Sequence, residues 1–158
     1  MRRFGLALVV GILLTATPAA PASETQSYWV ANANSQTGSQ LNNLVRGSLQ
    51  GAGVTYSPAF TSPPISLTGW RDSLYVGASD TLVRTDFDGN ILESKTGCGS
   101  FTALAYHDHA LYVGCTHVST DPTIERIALH ADGSFGAMTQ WAVRTNWIED
   151  LAIANGYM

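Results

Sequence analysis

Three short stretches carry side chains that could do chemistry. His107-Asp108-His109 sets two imidazoles around a carboxylate, the make-up of a metal or acid–base cluster. Asp86-Phe87-Asp88-Gly89-Asn90 has the opening spacing of a calcium loop, although a full loop of the helix–loop–helix type needs further oxygens and a late bidentate Glu, which is absent at the right place. Asn146-Trp147-Ile148-Glu149-Asp150 brings two adjacent carboxylates and an amide together. No Gly-x-Ser-x-Gly elbow, zinc spacing or phosphate loop is present.

The elements that must position these groups come from a repeated phrase. Leu67-Thr-Gly-Trp-Arg-Asp-Ser-Leu74-Tyr75-Val76-Gly77 returns as Leu104-Ala-Tyr-His-Asp-His-Ala-Leu111-Tyr112-Val113-Gly114, and a third copy opens at Leu151-Ala-Ile-Ala-Asn155-Gly156-Tyr157-Met158. Each copy is an apolar run, a polar turn and an apolar-aromatic run, which is a β-hairpin pattern. A further strand follows each phrase, marked by Leu44-Val45-Arg46, Leu82-Val83-Arg84 and Ile124-Glu125-Arg126. Each of these leads to a Gly-centred turn: Gln50-Gly51, Asp88-Gly89-Asn90 and Asp132-Gly133-Ser134. An Asp-Gly pair between apolar runs signals a hairpin whose two central residues take positive φ. An outer strand comes next, at Ile91-Leu92-Glu93 and at Ala137 to Trp141. Tyr28-Trp29-Val30 matches Leu74-Tyr75-Val76, so the first unit begins at its second strand.

Four strands per unit, repeated without an amphipathic helix, predict an all-β β-propeller of antiparallel four-stranded blades, with three blades and the start of a fourth in this chain. Within that frame the candidates acquire plainer readings. His107-Asp108-His109 falls at the hairpin turn that Arg71-Asp72-Ser73 occupies in the other copy, and a polar turn is the preferred reading. His117 sits in a long loop at the other end of that strand, and His130 is expected to face solvent. Asp86 to Asn90 reads as a hairpin turn. Arg46, Arg84 and Arg126 recur at one position of the repeat, as Tyr75 and Tyr112 do at another. A residue that recurs with the unit is expected to serve the unit, here through an inter-blade hydrogen bond or ion pair. Aligning Leu151 with Leu104 puts Glu149 and Asp150 at the start of an innermost strand, where the sibling copy has Thr102 and Ala103.

Composition narrows the function classes. Residues 1–22 read as a secretory signal peptide: Arg2 and Arg3, an apolar core from Gly5 to Thr15, and the small-x-small site Ala20-Pro21-Ala22. The remaining 23–158 hold the propeller units. There the cations are Arg46, Arg71, Arg84, Lys95, Arg126 and Arg144, set against twelve acids, so the net charge is −6. With no basic stripe, nucleic acid is not an expected partner. No stretch after the signal is apolar for long enough to span a membrane as a helix. Export to a secreted or periplasmic location makes a Cys98–Cys115 disulfide the expectation, since a turn at Asp108-His109 pairs Cys115 near Thr102; the alternative is two unpaired or buried thiols.

Tyr28-Trp29-Val30 with Leu44-Val45-Arg46-Gly-Ser-Leu-Gln-Gly51 resembles the YWTD repeat of lipoprotein-receptor propellers. Leu74-Tyr-Val-Gly77 with Leu82-Val-Arg84-Thr-Asp-Phe-Asp-Gly89 is similar to repeats of secreted bacterial six-bladed propellers of the gluconolactonase-like and lyase-like groups. The resemblance covers most of 23–158 and concerns packing positions. Gluconolactonase-like propellers hold a divalent ion with acidic and amide side chains at one end of the channel. By that resemblance Glu149, Asp150 and Asn146 are candidate ligands for calcium or another divalent cation. The preferred reading is a solvated strand start, because a hard cation takes about six to eight oxygens.

Propellers close with four to eight blades, so the expectation is a piece of a longer protein. The alternative is a homodimer in which Leu151 to Ala154 of one chain supplies the innermost strand missing from the first blade of another, closing six blades. The leading functional expectation is a binding or interaction module without a cofactor, taking a protein or small-molecule ligand on the top face. The alternative is a metal-dependent hydrolase or lyase acting on a lactone or sugar-like substrate.

Overall fold

The computed structural model describes residues 27–32, 42–48, 54–116 and 121–153. The signal-like segment 1–22, the Gln50-Gly51 turn, His117 and the turn of the third copy lie outside them. Among the described residues there is no helix, and every strand pairs antiparallel.

The strands follow the repeat. β1 (Ser27–Asn32), β2 (Asn43–Ser48) and β3 (Val54–Tyr56) make a three-stranded sheet in that order. β4 (Pro64–Trp70), β5 (Ser73–Ala78), β6 (Thr81–Thr85) and β7 (Ile91–Thr96) make the second sheet. β8 (Ser100–His107), β9 (Ala110–Thr116), β10 (Thr123–Leu129) and β11 (Phe135–Val143) make the third. The copies superimpose in register. Tyr75 stands opposite Arg84, Tyr112 opposite Arg126 and Trp29 opposite Arg46. β1 therefore holds the second place in its sheet, and the innermost place, filled by β4 and β8 elsewhere, has no strand among the described residues.

The turns differ from expectation in one respect. Positive φ at both central residues occurs at Asp108 and His109, with φ of 43° and 56°. In the Asp-Gly turns only Gly89 and Gly133 are left-handed, with φ of 84° and 85°. The reason is that each preceding turn is closed by its own side chains. Asp86 Oδ1 accepts from the amides of Asp88 and Asn90, and Asp132 Oδ1 accepts from that of Ser134. Asp86 and Asp132 thus close the two turns from different positions, and in both the left-handed conformation falls to glycine alone.

The sheets stack face to face. Strand alternation sends Leu82 and Arg84 to one side of β6 and Val83 and Thr85 to the other. Leu44, Phe60, Leu74, Val76 and Val83 fill the gap between the first and second sheets. Tyr75, Leu82, Phe101, Leu111, Val113, Ile127 and Phe135 fill the gap between the second and third. β5 is thus buried along its whole length, as expected of a strand with neighbours on both faces. The second and third sheets lie closest at β4 and β8. Toward β7 and β11 they are bridged by longer reaches: Lys95 Nζ to the Gly136 carbonyl, 3.1 Å, and the Phe135 amide to Glu93 Oε2, 3.0 Å. The stack therefore opens like a fan.

Cys98 and Cys115 lie at disulfide distance, with Cα atoms 5.2 Å apart. Cys115 pairs with Phe101, one residue before Thr102, because a bulge falls between Phe101 and Ala103.

Candidate functional site

After each outermost strand the chain must cross to the innermost strand of the next sheet. Residues 57–63 make that crossing between β3 and β4, and 97–99 make it between β7 and β8. Residues 144–150 leave β11 in the same way and reach Leu151, the first residue of the third phrase. The Arg144 amide donates to the Pro122 carbonyl, 2.8 Å, pinning the start of this segment. Ile148 is buried against Ala103 and Ile124, with Tyr112, Ala142 and Leu151 alongside. A side chain on Gly114 would meet Ile148, just as one on Gly77 would meet Phe101. Phe101 lies three residues before Leu104, and Ile148 three before Leu151. Ile148 thus docks on the third sheet as Phe101 docks on the second.

With Ile148 turned inward, its neighbours turn outward. Asn146, Trp147, Glu149 and Asp150 are all exposed, Trp147 to 75%. With Ile124 and Arg144 they line a groove of about 440 Å³. Asp150 Oδ1 is engaged by the amide of Leu151, 2.8 Å. The groove therefore joins an indole face, an amide, a guanidinium and two carboxylates over a buried aliphatic floor. As a cation site it offers part of a coordination sphere. Among the described residues no three of His, Cys, Asp and Glu stand together so as to hold a metal ion.

The other candidates are placed as follows. His107, Asp108 and His109 sit exposed at the β8–β9 turn. His109 lies edge-on to Trp70, 5.6 Å between ring centroids, and Trp70 stacks on Tyr106 at 5.3 Å. The His109 carbonyl accepts from the Leu129 amide, so this turn is tied to its own sheet. Asp86 spends its oxygens inside its turn, with Oδ2 accepting from the Asn90 side chain at 2.8 Å. That side-chain amide, ahead of the backbone donors, holds the Asp86 carboxyl below the usual range. Asp132 is lowered as well, first by the Ser134 amide and then by its hydroxyl. His130 is exposed.

The repeated arginines lie at contacts between sheets. Arg46 Nη1 approaches Asp88 Oδ1, 3.7 Å, in the turn of the next sheet. Arg84 donates to Ser73 Oγ, 2.9 Å, and to the carbonyl of Asp132 in the turn of the sheet after. Arg71 donates to the Ala131 carbonyl, and Tyr75 to that of Gly133, 2.9 Å. Three consecutive carbonyls of one turn thus accept from three donors of the preceding sheet. Burial, ahead of all other causes, pushes the Tyr75 hydroxyl above its ordinary pKa. Arg126, half-buried at the same register position, has no such turn to meet among the described residues.

Sequence reasoning found the two carboxylates, the thiols and the arginines. It missed Trp147 and Ile148 as the wall and floor of a groove, and the Tyr75–Gly133 contact. The signal for Ile148 was its spacing from Leu151.

No protein-family profile matches the chain, and no curated protein matches it. Among solved structures the chain is similar to the one titled "Crystal structure of the computationally designed Ika4 protein", at 14% identity and a TM-score of 0.44, covering 65% of this chain and 81% of that one. A likeness at that level bears on neither fold nor function.

Proposed function

We propose that this chain is a β-propeller binding module of the secreted or periplasmic space, similar to YWTD-like and gluconolactonase-like repeats, that takes its ligand where the crossings run. The propeller reading is supported by sheets stacked in chain order, by the fan-like opening from β4 and β8, and by crossings that lead from outermost to innermost strand. The location is supported by the signal-like segment and by the Cys98–Cys115 pair. The observation that carries the binding role is the groove beneath Trp147. An exposed indole anchored by buried Ile148, with an amide and carboxylates beside it, suits a flat, hydroxyl-bearing small molecule.

The test is tryptophan fluorescence of the full chain, titrated separately with neutral oligosaccharides, simple lactones and calcium chloride. Saturable quenching by a sugar or lactone that is recovered unchanged, and that is lost in Trp147→Ala, supports the module. Lactone turnover that disappears in Glu149→Gln and after dialysis against a chelator replaces it with the metal-dependent hydrolase reading, which Glu149, Asp150 and Asn146 in one groove would then serve. Emission indifferent to every probe overturns both.

A further inference from the structure

A second cleft lies at the opposite end of the strands from the Trp147 groove. Trp70 pairs with Ser73 across the β4–β5 turn, and Thr85, paired with Leu74, leads into the β6–β7 turn at the same end. Between these turns of the second sheet and the Ala131-Asp132-Gly133 turn of the third runs a cleft of about 340 Å³. That is at the low end of small-molecule pockets, which run from about 300 to 1,000 Å³. Arg71 and Arg84 line it, and both are held in place. The Arg71 guanidinium lies over the Trp70 ring, 4.6 Å from its centroid, and donates to the Ala131 carbonyl. Arg84 donates to Ser73 Oγ and to the Asp132 carbonyl. A guanidinium has five N–H groups, so each arginine keeps donors to spare. Among the described residues neither stands in an ion pair. Neutral partners thus fix two cations and leave their charge unopposed at close range.

Three carboxylates share the cleft. Asp86 and Asp132 accept from donors of their own turns. Asp72 is exposed, and its carboxylate accepts from no donor among the described residues. Leu92, also exposed, adds an apolar wall. The repeat explains Arg84, which recurs with the unit. It does not explain Trp70, Arg71 and Asp72, because the sibling copy has His107, Asp108 and His109 at those places.

We propose that this cleft binds a free α-amino acid with an apolar side chain. The spare N–H groups of Arg71 and Arg84 take the α-carboxylate, which the planar guanidinium fork matches. Asp72 takes the α-ammonium, and the side chain lies along Leu92. Two guanidiniums among three carboxylates leave no surplus of positive charge for a phosphate or sulfate. A ligand with one charge of each sign satisfies both sets. Because the arginines are anchored before binding, docking costs little side-chain freedom. The site is separate from the Trp147 groove and independent of what that groove binds.

The experiment is isothermal titration calorimetry of the full chain with L-leucine. Saturable heat at one site per chain is expected. N-acetyl-L-leucine lacks the ammonium and L-leucinamide lacks the carboxylate, so each is expected to bind at least about tenfold more weakly. Arg71→Ala and Asp72→Asn, both at exposed turn positions, are expected to weaken leucine binding by a similar factor with an unchanged β-sheet circular dichroism signal. Trp147→Ala is expected to leave it as it is. No heat with leucine overturns the proposal, as does N-acetyl-L-leucine or inorganic phosphate binding as tightly as leucine. Leucine binding retained in both turn variants, or lost in Trp147→Ala, also overturns it. Should Arg71→Ala lose its sheet signal, Asp72→Asn and the two leucine derivatives decide. The sugar and lactone titrations at Trp147 stand or fall separately.

Discussion

The hydroxyl of Tyr75 donates to the carbonyl of Gly133, 2.9 Å away, across the gap between the second and third sheets. Tyr75 is wholly buried, and Gly133 is the left-handed residue of the turn it meets. A phenol at the repeat's central strand thus locates the neighbouring sheet by its tightest turn. Removing the hydroxyl in Tyr75→Phe is expected to lower stability by about 1 kcal/mol, since the carbonyl loses a buried partner while the ring still packs. Urea unfolding should show a lower midpoint at unchanged slope.

The same contact sets a pH dependence. Burial raises the Tyr75 pKa above its ordinary 10.0. The folded chain therefore holds this proton more tightly than the unfolded chain does. The associated stability is fully present below the unfolded value and is lost as pH rises through the folded one. Urea midpoints should fall between neutral pH and about pH 10.5, and that fall should be shallower in Tyr75→Phe. Equal slopes in both proteins would show that this hydroxyl is not responsible.

Gly89 combines φ of +84° with close approach to Ser57, the first residue of the crossing from β3 to β4, into which a Cβ would project. Gly89→Ala is expected to cost about 1–3 kcal/mol through backbone strain and displacement of Ser57. The measurement is thermal melting by circular dichroism. A melting temperature within error of the parent would mean that the turn can move away at little cost.

Cys98 and Cys115 close a loop of 17 residues in sequence separation. Replacing both by serine is expected to cost about 3 kcal/mol, the order given by loop entropy for a link of this span. Comparing the parent with and without reductant, and the double variant, checks this. Reductant should destabilise the parent and leave the variant unaffected.

Arg84 bridges Ser73 and the Asp132 carbonyl, whereas Arg126 meets no equivalent turn among the described residues. Arg84→Ala is therefore expected to lower stability by about 1 kcal/mol. Arg126→Ala should change unfolding by less than about 0.5 kcal/mol. Denaturant curves of the two variants distinguish them.

Most of the strand order was legible in the residues. Alternation placed Leu82 beside Arg84 on one face and Val83 on the other, and the turns marked where each strand ended. The phrase spacing put Tyr75 and Tyr112 at equivalent register, which the pairing opposite Arg84 and Arg126 matches. The candidate site was legible only as composition. Glu149 and Asp150 were recognisable as carboxylates at a strand start, but a linear pattern does not say which neighbour will be drawn inward.

Local chemistry, carried by the residues alone, determined the hairpins, their parity and the recurrence of arginine, because those depend on neighbours within a few positions. Burial depends on what lies across a gap, and only the packed chain decided it. Tyr75 and Tyr112 occupy the same place in the same phrase. One is sealed beneath the turn of the next sheet; the other is half-buried under Ile148 and Trp141, because no further described sheet covers it. The docking of Ile148 over Gly114 likewise decided that Trp147 and the two carboxylates face solvent together.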